Sequence, residues 1–256
     1  MRYRSAMTSS GNCIARRWSQ ALRISALALF LSITDASGAL ELSESIVPAE
    51  IPDFSISNGP RTLRLPEGVW WELDHYVWQA TAGTAVGRVD SAFIARIEHG
   101  TIGLAGRIVL LKYDIPAKSW RDEPCGGVED IYAKEYSTSY DLKDCLVVRS
   151  ERSKDMSDLL KRTFPKVGPW VAAHGMTLPD AAVRIRYARY STNTYGILDL
   201  FVPASYFDSE QAAITWGESM RENLKPMFEH RQDEATLPPL PELPTAIPPA
   251  PGGRGE

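Results

Sequence analysis

Residues Val69 to Trp78, VWWELDHYVW, most constrain the architecture. A stretch this rich in aromatic and β-branched side chains suits a pleated, half-buried strand rather than a helix. It follows the turn residues Pro66-Glu67-Gly68. Strict alternation would place Val69, Trp71, Leu73, His75 and Val77 on a buried face. Trp70, Glu72, Asp74, Tyr76 and Trp78 would form a wetter one. After a small-residue loop over 80–86, two further apolar runs, Ser91 to Glu98 and Thr101 to Tyr113, meet at His99-Gly100. They read as a β-hairpin, with Gly103 and Gly106 marking a bulge or bend in its second arm. Cys145 to Arg149 reads as a short strand. Ala182 to Ser191 and Ile197 to Val202 form a second antiparallel pair across the turn Asn193 to Gly196.

Helical spacing appears only late in the chain. Ser153 can cap a segment carrying Met156, Leu159, Leu160 and Phe164, which Pro165 stops. Pro169 and Gly175 suit the first position and the C-cap of a short piece over Trp170 to His174. Asp208 with Gln211 resembles a capping box. It opens the clearest helix, with Ile214, Gly217, Met220 and Leu224 on one face and Pro226 as a kink or end. No βαβ alternation and no internal repeat occur. The expected fold is α+β: a mainly antiparallel β-sheet with two main helices in a single domain.

The ends of the chain differ from its middle. Arg2, Arg4, Arg16, Arg17 and Arg23 precede the apolar run Ile24 to Ile33, and the small residues Ala36-Ser37-Gly38-Ala39 follow it. Basic, apolar and small-residue regions in that order read as a secretory signal peptide over residues 1–39. The apolar run is about half the ~20 residues that a spanning helix needs. Arg16-Arg17 lacks the apolar pair of a twin-arginine signal, and Cys13 lies upstream of the run, where it supports no lipid anchor. Residues 40–60, with Pro48, Pro52 and Asn58-Gly59-Pro60, read as an extended lead-in holding one strand near Phe54 to Ser57. Residues 61–236 read as the α+β domain. Residues 237–256 are proline-rich and read as a disordered tail, dispensable for folding.

The formal net charge of −4 becomes more negative once the five arginines of the leader are removed. That disfavours nucleic acid and anionic membrane surfaces as partners, since both demand a basic face. Arg184 and Arg186 mark one local basic candidate, read as a solvated strand face. No segment beyond the leader is apolar enough to span a membrane. Outside the leader the cysteines are Cys125 and Cys145, and in an oxidising compartment they are expected to form a disulfide. The implied location is periplasmic or secreted.

Chemistry-bearing motifs are missing. His75, His99, His174 and His230 have no metal-ligand spacing, and no nucleophile elbow or phosphate-binding glycine loop is present. No catalytic residue, metal or cofactor is therefore assigned. Tyr132, Tyr136 and Tyr140 recur every four residues and form the one candidate ligand-binding row, able to stack on sugars or aromatic ligands. Packing against the core is the competing reading. The expected function is a non-catalytic module that binds a ligand or an envelope protein. The alternatives are a secreted hydrolase with a site assembled from distant residues, or a structural envelope component.

Overall fold

The protein is described by a computed structural model over residues 39–42, 47–98, 100–112, 125, 130–137, 139, 142–191 and 194–241. The leader up to residue 38, the end of the tail from residue 242, and Tyr140 lie outside the described residues.

An eight-stranded antiparallel sheet dominates. Its strands, in chain order, are β2 (Ala49–Glu50), β5 (Val69–Ala82), β6 (Ala85–Glu98), β7 (Thr101–Leu111), β8 (Asp130–Ser137), β9 (Lys143–Arg152), β10 (Ala181–Tyr190) and β11 (Tyr195–Pro203). They lie in the spatial order β2-β5-β6-β7-β11-β10-β9-β8. A small mixed sheet, β1-β3-β4-β12, consists of β1 (Leu40–Glu41), β3 (Ser55–Asn58), β4 (Arg61–Arg64) and β12 (Glu234–Thr236). The helices are α1 (Ser153–Thr163), α2 (Val167–Ala173) and α3 (Glu210–Phe228). This is the mainly antiparallel α+β fold that the alternation pattern implies.

Cross-strand register sorts the large sheet into two faces. Ala92, Ile108, Leu198, Tyr187 and Leu146 form a row on the first face, which packs under α3 and the small sheet. Ala95, Ala105 and Phe201 lie on the second face and pack under α1 and α2 through Met156, Leu160, Phe164 and Val171. A separate apolar cluster on that second face gathers Val89, Val109, Ile197, Ala188 and Cys145. Cys125 is bonded to Cys145 there, with a Cα–Cα distance of 5.7 Å. The expected bridge is therefore present.

Several local readings need correction. The register of β5 against β6 shifts between Glu72 and Asp74, so Leu73 bulges and the simple alternation fails there. Both faces are also covered in this stretch, so Trp70, Glu72, Leu73 and Asp74 are all buried, while Val69 and Val77 are exposed. The small-residue loop over 80–86 is instead a tight turn at Gly83-Thr84 between two long strands. Gly103 is skipped in the pairing of β6 with β7, the bulge its glycine signals, whereas Gly106 serves close packing. A Cβ on Gly106 would meet the Leu200 side chain at 2.4 Å. Ser209, not Asp208, caps α3, its hydroxyl accepting from the Ala212 amide at 3.2 Å. Pro226 sits inside the last turn of α3 without ending it, a position where few further backbone bonds are lost.

Both flanking segments join the core. Leu42, Ile51 and Ile56 from the lead-in are buried under the first face. The start of the proline-rich tail also docks. Leu237 is buried, and its amide donates to the Arg64 carbonyl at 2.9 Å. Residues 237–241, expected as the start of a disordered tail, thus pack on the domain. Their packing follows from β12, which runs parallel to β4 and delivers the chain to the sheet edge.

Candidate functional site

An open trough of about 940 Å³ lies at the end of the first face. One wall is the turn from Leu65 to Val69. Gly68 has φ +146°, and the Arg96 guanidinium lies against it where a Cβ would come within 2.3 Å of Nε. The turn is pinned from below by Trp70, whose indole N–H donates to the Pro66 carbonyl at 2.7 Å. The opposite wall is the strap Leu237–Pro241. Trp216 of α3 donates its indole N–H to the Pro239 carbonyl at 2.9 Å, and Leu240 packs against the core. Leu65, Ile97, Leu237 and Leu240 make much of the lining apolar.

One polar cluster interrupts that surface. Arg96 and Glu98 form an ion pair at 2.8 Å, and the Tyr206 hydroxyl donates to Glu98 at 3.0 Å. Burial, then the hydrogen bond to Glu98, push the Tyr206 phenol up, so it stays a donor at neutral pH. Side-chain exposures of 22% for Arg96 and 23% for Glu98 leave both groups reachable from the trough. An apolar lining with a few polar groups at one end is the usual composition of a ligand site.

The tyrosine row lies elsewhere. Tyr132 and Tyr136 project from the edge strand β8 toward α3, where both hydroxyls donate to Glu218, the first at 2.6 Å. The Arg221 guanidinium carbon sits 3.4 Å from the centroid of the Tyr136 ring. Burial, then the bond to Glu218, push the Tyr136 phenol up. Burial acts to raise Glu218 as well, but the two phenols outweigh it and hold the carboxyl below its ordinary range. These contacts dock α3 on the sheet edge and do not bring the pair to the trough.

The histidines are dispersed. The His75 Nδ1 lies 3.2 Å from the buried Glu72, His174 stacks on Trp170 with ring centroids 4.2 Å apart, and His230 contacts Arg61 at 2.9 Å. Among the described residues no group of three or more His, Cys, Asp or Glu side chains is placed to hold a metal. No described helix is long and apolar enough to cross a membrane.

Arg184 and Arg186 are not a freely solvated patch. Both bind Asp199, which is fully buried, through Nη2 at 2.6 Å and 2.8 Å. Arg184 also reaches Glu151 at 3.1 Å. Burial alone would raise the Asp199 carboxyl, but the Arg186 and Arg184 charges and their hydrogen bonds hold it far below the usual range.

Sequence reasoning missed Arg96, Glu98, Tyr206 and the strap. The available signal was the three-residue spacing of Leu237 and Leu240 within a proline-rich run, which aligns side chains along one edge of an extended chain. Comparison with protein families, with curated proteins and with solved structures finds no match to this chain.

Proposed function

We propose that this chain is an exported, non-catalytic binding module of the periplasm or cell exterior, whose ligand or partner segment lies in the trough. The observation that carries the reading is the trough itself, about 940 Å³ with an apolar lining and the Arg96–Glu98–Tyr206 cluster at one end. Its volume matches a site for a ligand of ordinary small-molecule size or a short extended segment, for which about 300–1,000 Å³ is typical. The chemistry that fits is an elongated, mostly apolar ligand with one polar group to meet the cluster. The signal-peptide pattern of residues 1–39 and the Cys125–Cys145 bridge support an oxidising, extracytoplasmic setting.

The test is native mass spectrometry of protein recovered from its own compartment, followed by identification of any bound material. The reading expects material that remains on the parent protein and is lost from Leu240→Asp, which puts a charge into the apolar wall. Equal retention by parent and variant contradicts it, as does a parent that carries and takes up no apolar ligand.

A further inference from the structure

A polar row crosses the second face of the large sheet, between its two apolar covers. Register aligns Phe93, Arg107, Asp199, Arg186 and Val147 across β6, β7, β11, β10 and β9. On one side Phe164, just after α1, packs on Phe93 and Tyr76 with centroids 5.4 Å and 5.6 Å away. On the other side Ser91, Val109, Ile197 and Ala188 lead to the Cys125–Cys145 bridge.

Arg107 stands directly opposite Asp199 in register but does not pair with it. Its Nε donates to the Ser91 hydroxyl at 3.2 Å and its Nη2 to the Tyr76 hydroxyl at 2.7 Å. The guanidinium carbon lies 6.0 Å from the centroid of the Tyr76 ring. Every one of these partners is neutral, and among the described residues no carboxylate pairs with Arg107. A half-buried cation on a central strand normally has a counterion, because partial desolvation penalises an unpaired charge. The fork is nonetheless fixed in place by Ser91 and Tyr76, and its Nη1 edge meets no acceptor among the described residues. Arg186 presents the same unused edge, since Nε and Nη2 both bind Asp199. The two arginines are two strands apart, about 10 Å between backbones, within joint reach of two long side chains.

We propose that this row binds an oxyanion, the carboxylate or phosphate group of a small ligand, with Arg107 as the main cation and Arg186 as the second. A planar guanidinium held by two neutral partners offers its remaining edge for bidentate contact with either group. Ser91 and Tyr76 are positioning residues that aim the fork. Asp199 keeps Arg186 on the sheet without neutralising Arg107. Tyr76 stacks on Trp78 at 5.5 Å, so an aromatic wall flanks the anion site. The site is on the opposite face from the trough, and its failure would leave the trough reading untouched.

The experiment is calorimetric titration of the intact protein, in chloride-poor buffer at low ionic strength, with inorganic phosphate and separately with benzoate. The proposal expects saturable binding of at least one. Phosphate alone, benzoate alone or both would assign the ligand group as phosphate, carboxylate or either. Arg107→Gln should weaken binding at least about tenfold. Tyr76→Phe removes one hydroxyl and should weaken it by a smaller factor, and Arg186→Gln provides a second cation variant should Arg107→Gln not fold. Saturable binding of neither anion by the parent overturns the proposal. So does undiminished binding in Tyr76→Phe together with whichever arginine variants fold.

Discussion

Asp144 and Asp199 each lie under a pair of arginines, on opposite faces of the same sheet, yet the two arrangements do different work. Asp144, on the first face, accepts from Arg221 Nε at 3.0 Å and is also bound by Arg189. Arg221 belongs to α3, so this carboxylate ties the helix to β9 and β10, and the helix covers the whole group. The two arginine side chains are only 9% and 5% exposed. Asp199 binds arginines from β10 alone, so it joins neighbouring strands and holds no cover in place. Its partner Arg186 is 27% exposed and keeps unused donors. The same residue types thus serve packing where a helix closes over them. Where no described helix does, they join neighbouring strands and keep part of their surface exposed.

Substitution of Asp144 should break this comparison most visibly. Asp144→Asn keeps the shape and removes the charge, leaving Arg189 and Arg221 buried with weakened partners. We expect a loss of about 3–5 kcal/mol in denaturant unfolding. Next comes the strap that closes the end of the first face. Truncation after Thr236 removes the buried Leu237 and the acceptor of the Trp216 indole, so about 2–4 kcal/mol should go. A midpoint equal to the parent's would return the strap to the status of a dispensable tail.

On the second face, reduction of the Cys125–Cys145 bridge opens a loop with a sequence separation of 20. Thermal unfolding with and without reductant should differ by about 3 kcal/mol. Asp199→Asn should cost less than Asp144→Asn, about 1–3 kcal/mol, because Arg186 can turn to water and Arg184 keeps Glu151. It should also alter the acid limb. The Asp199 carboxyl is depressed in the folded state, so its contribution is complete above the unfolded value of about 3.9 and is lost as pH falls below it. Unfolding free energies followed from about pH 7 to about pH 2.5 should therefore fall less steeply in Asp199→Asn than in the parent.

What the sequence discloses depends on how local each cause is. The hairpins β6–β7 and β10–β11 and the helix α3 were legible because alternation, turn residues and helical spacing lie within a few neighbours. The faces of β5 were not, because both faces are covered near Trp70 to Asp74 and the bulge at Leu73 moves the residues beyond it to the opposite face, and no residue type announces that bulge. The trough was invisible for a different reason. Glu98 meets Tyr206 across 108 residues of chain, and the strap joins β4 from the far end of the domain. Arg107 carries no motif of its own. That no carboxylate among the described residues pairs with it is a property of the assembled sheet.

The difference between the faces can be read in one nuclear magnetic resonance experiment on the unmodified protein: solvent exchange of the arginine Nε–H groups. Arg221 and Arg186 both donate Nε–H to an aspartate, at 3.0 Å and 3.3 Å, and differ in their cover. The Arg221 proton should exchange only through global unfolding, tracking the denaturant stability of the protein, while the Arg186 proton should exchange by local opening. Equal protection of the two, or faster exchange at Arg221, would contradict the claim that one network is sealed and the other open.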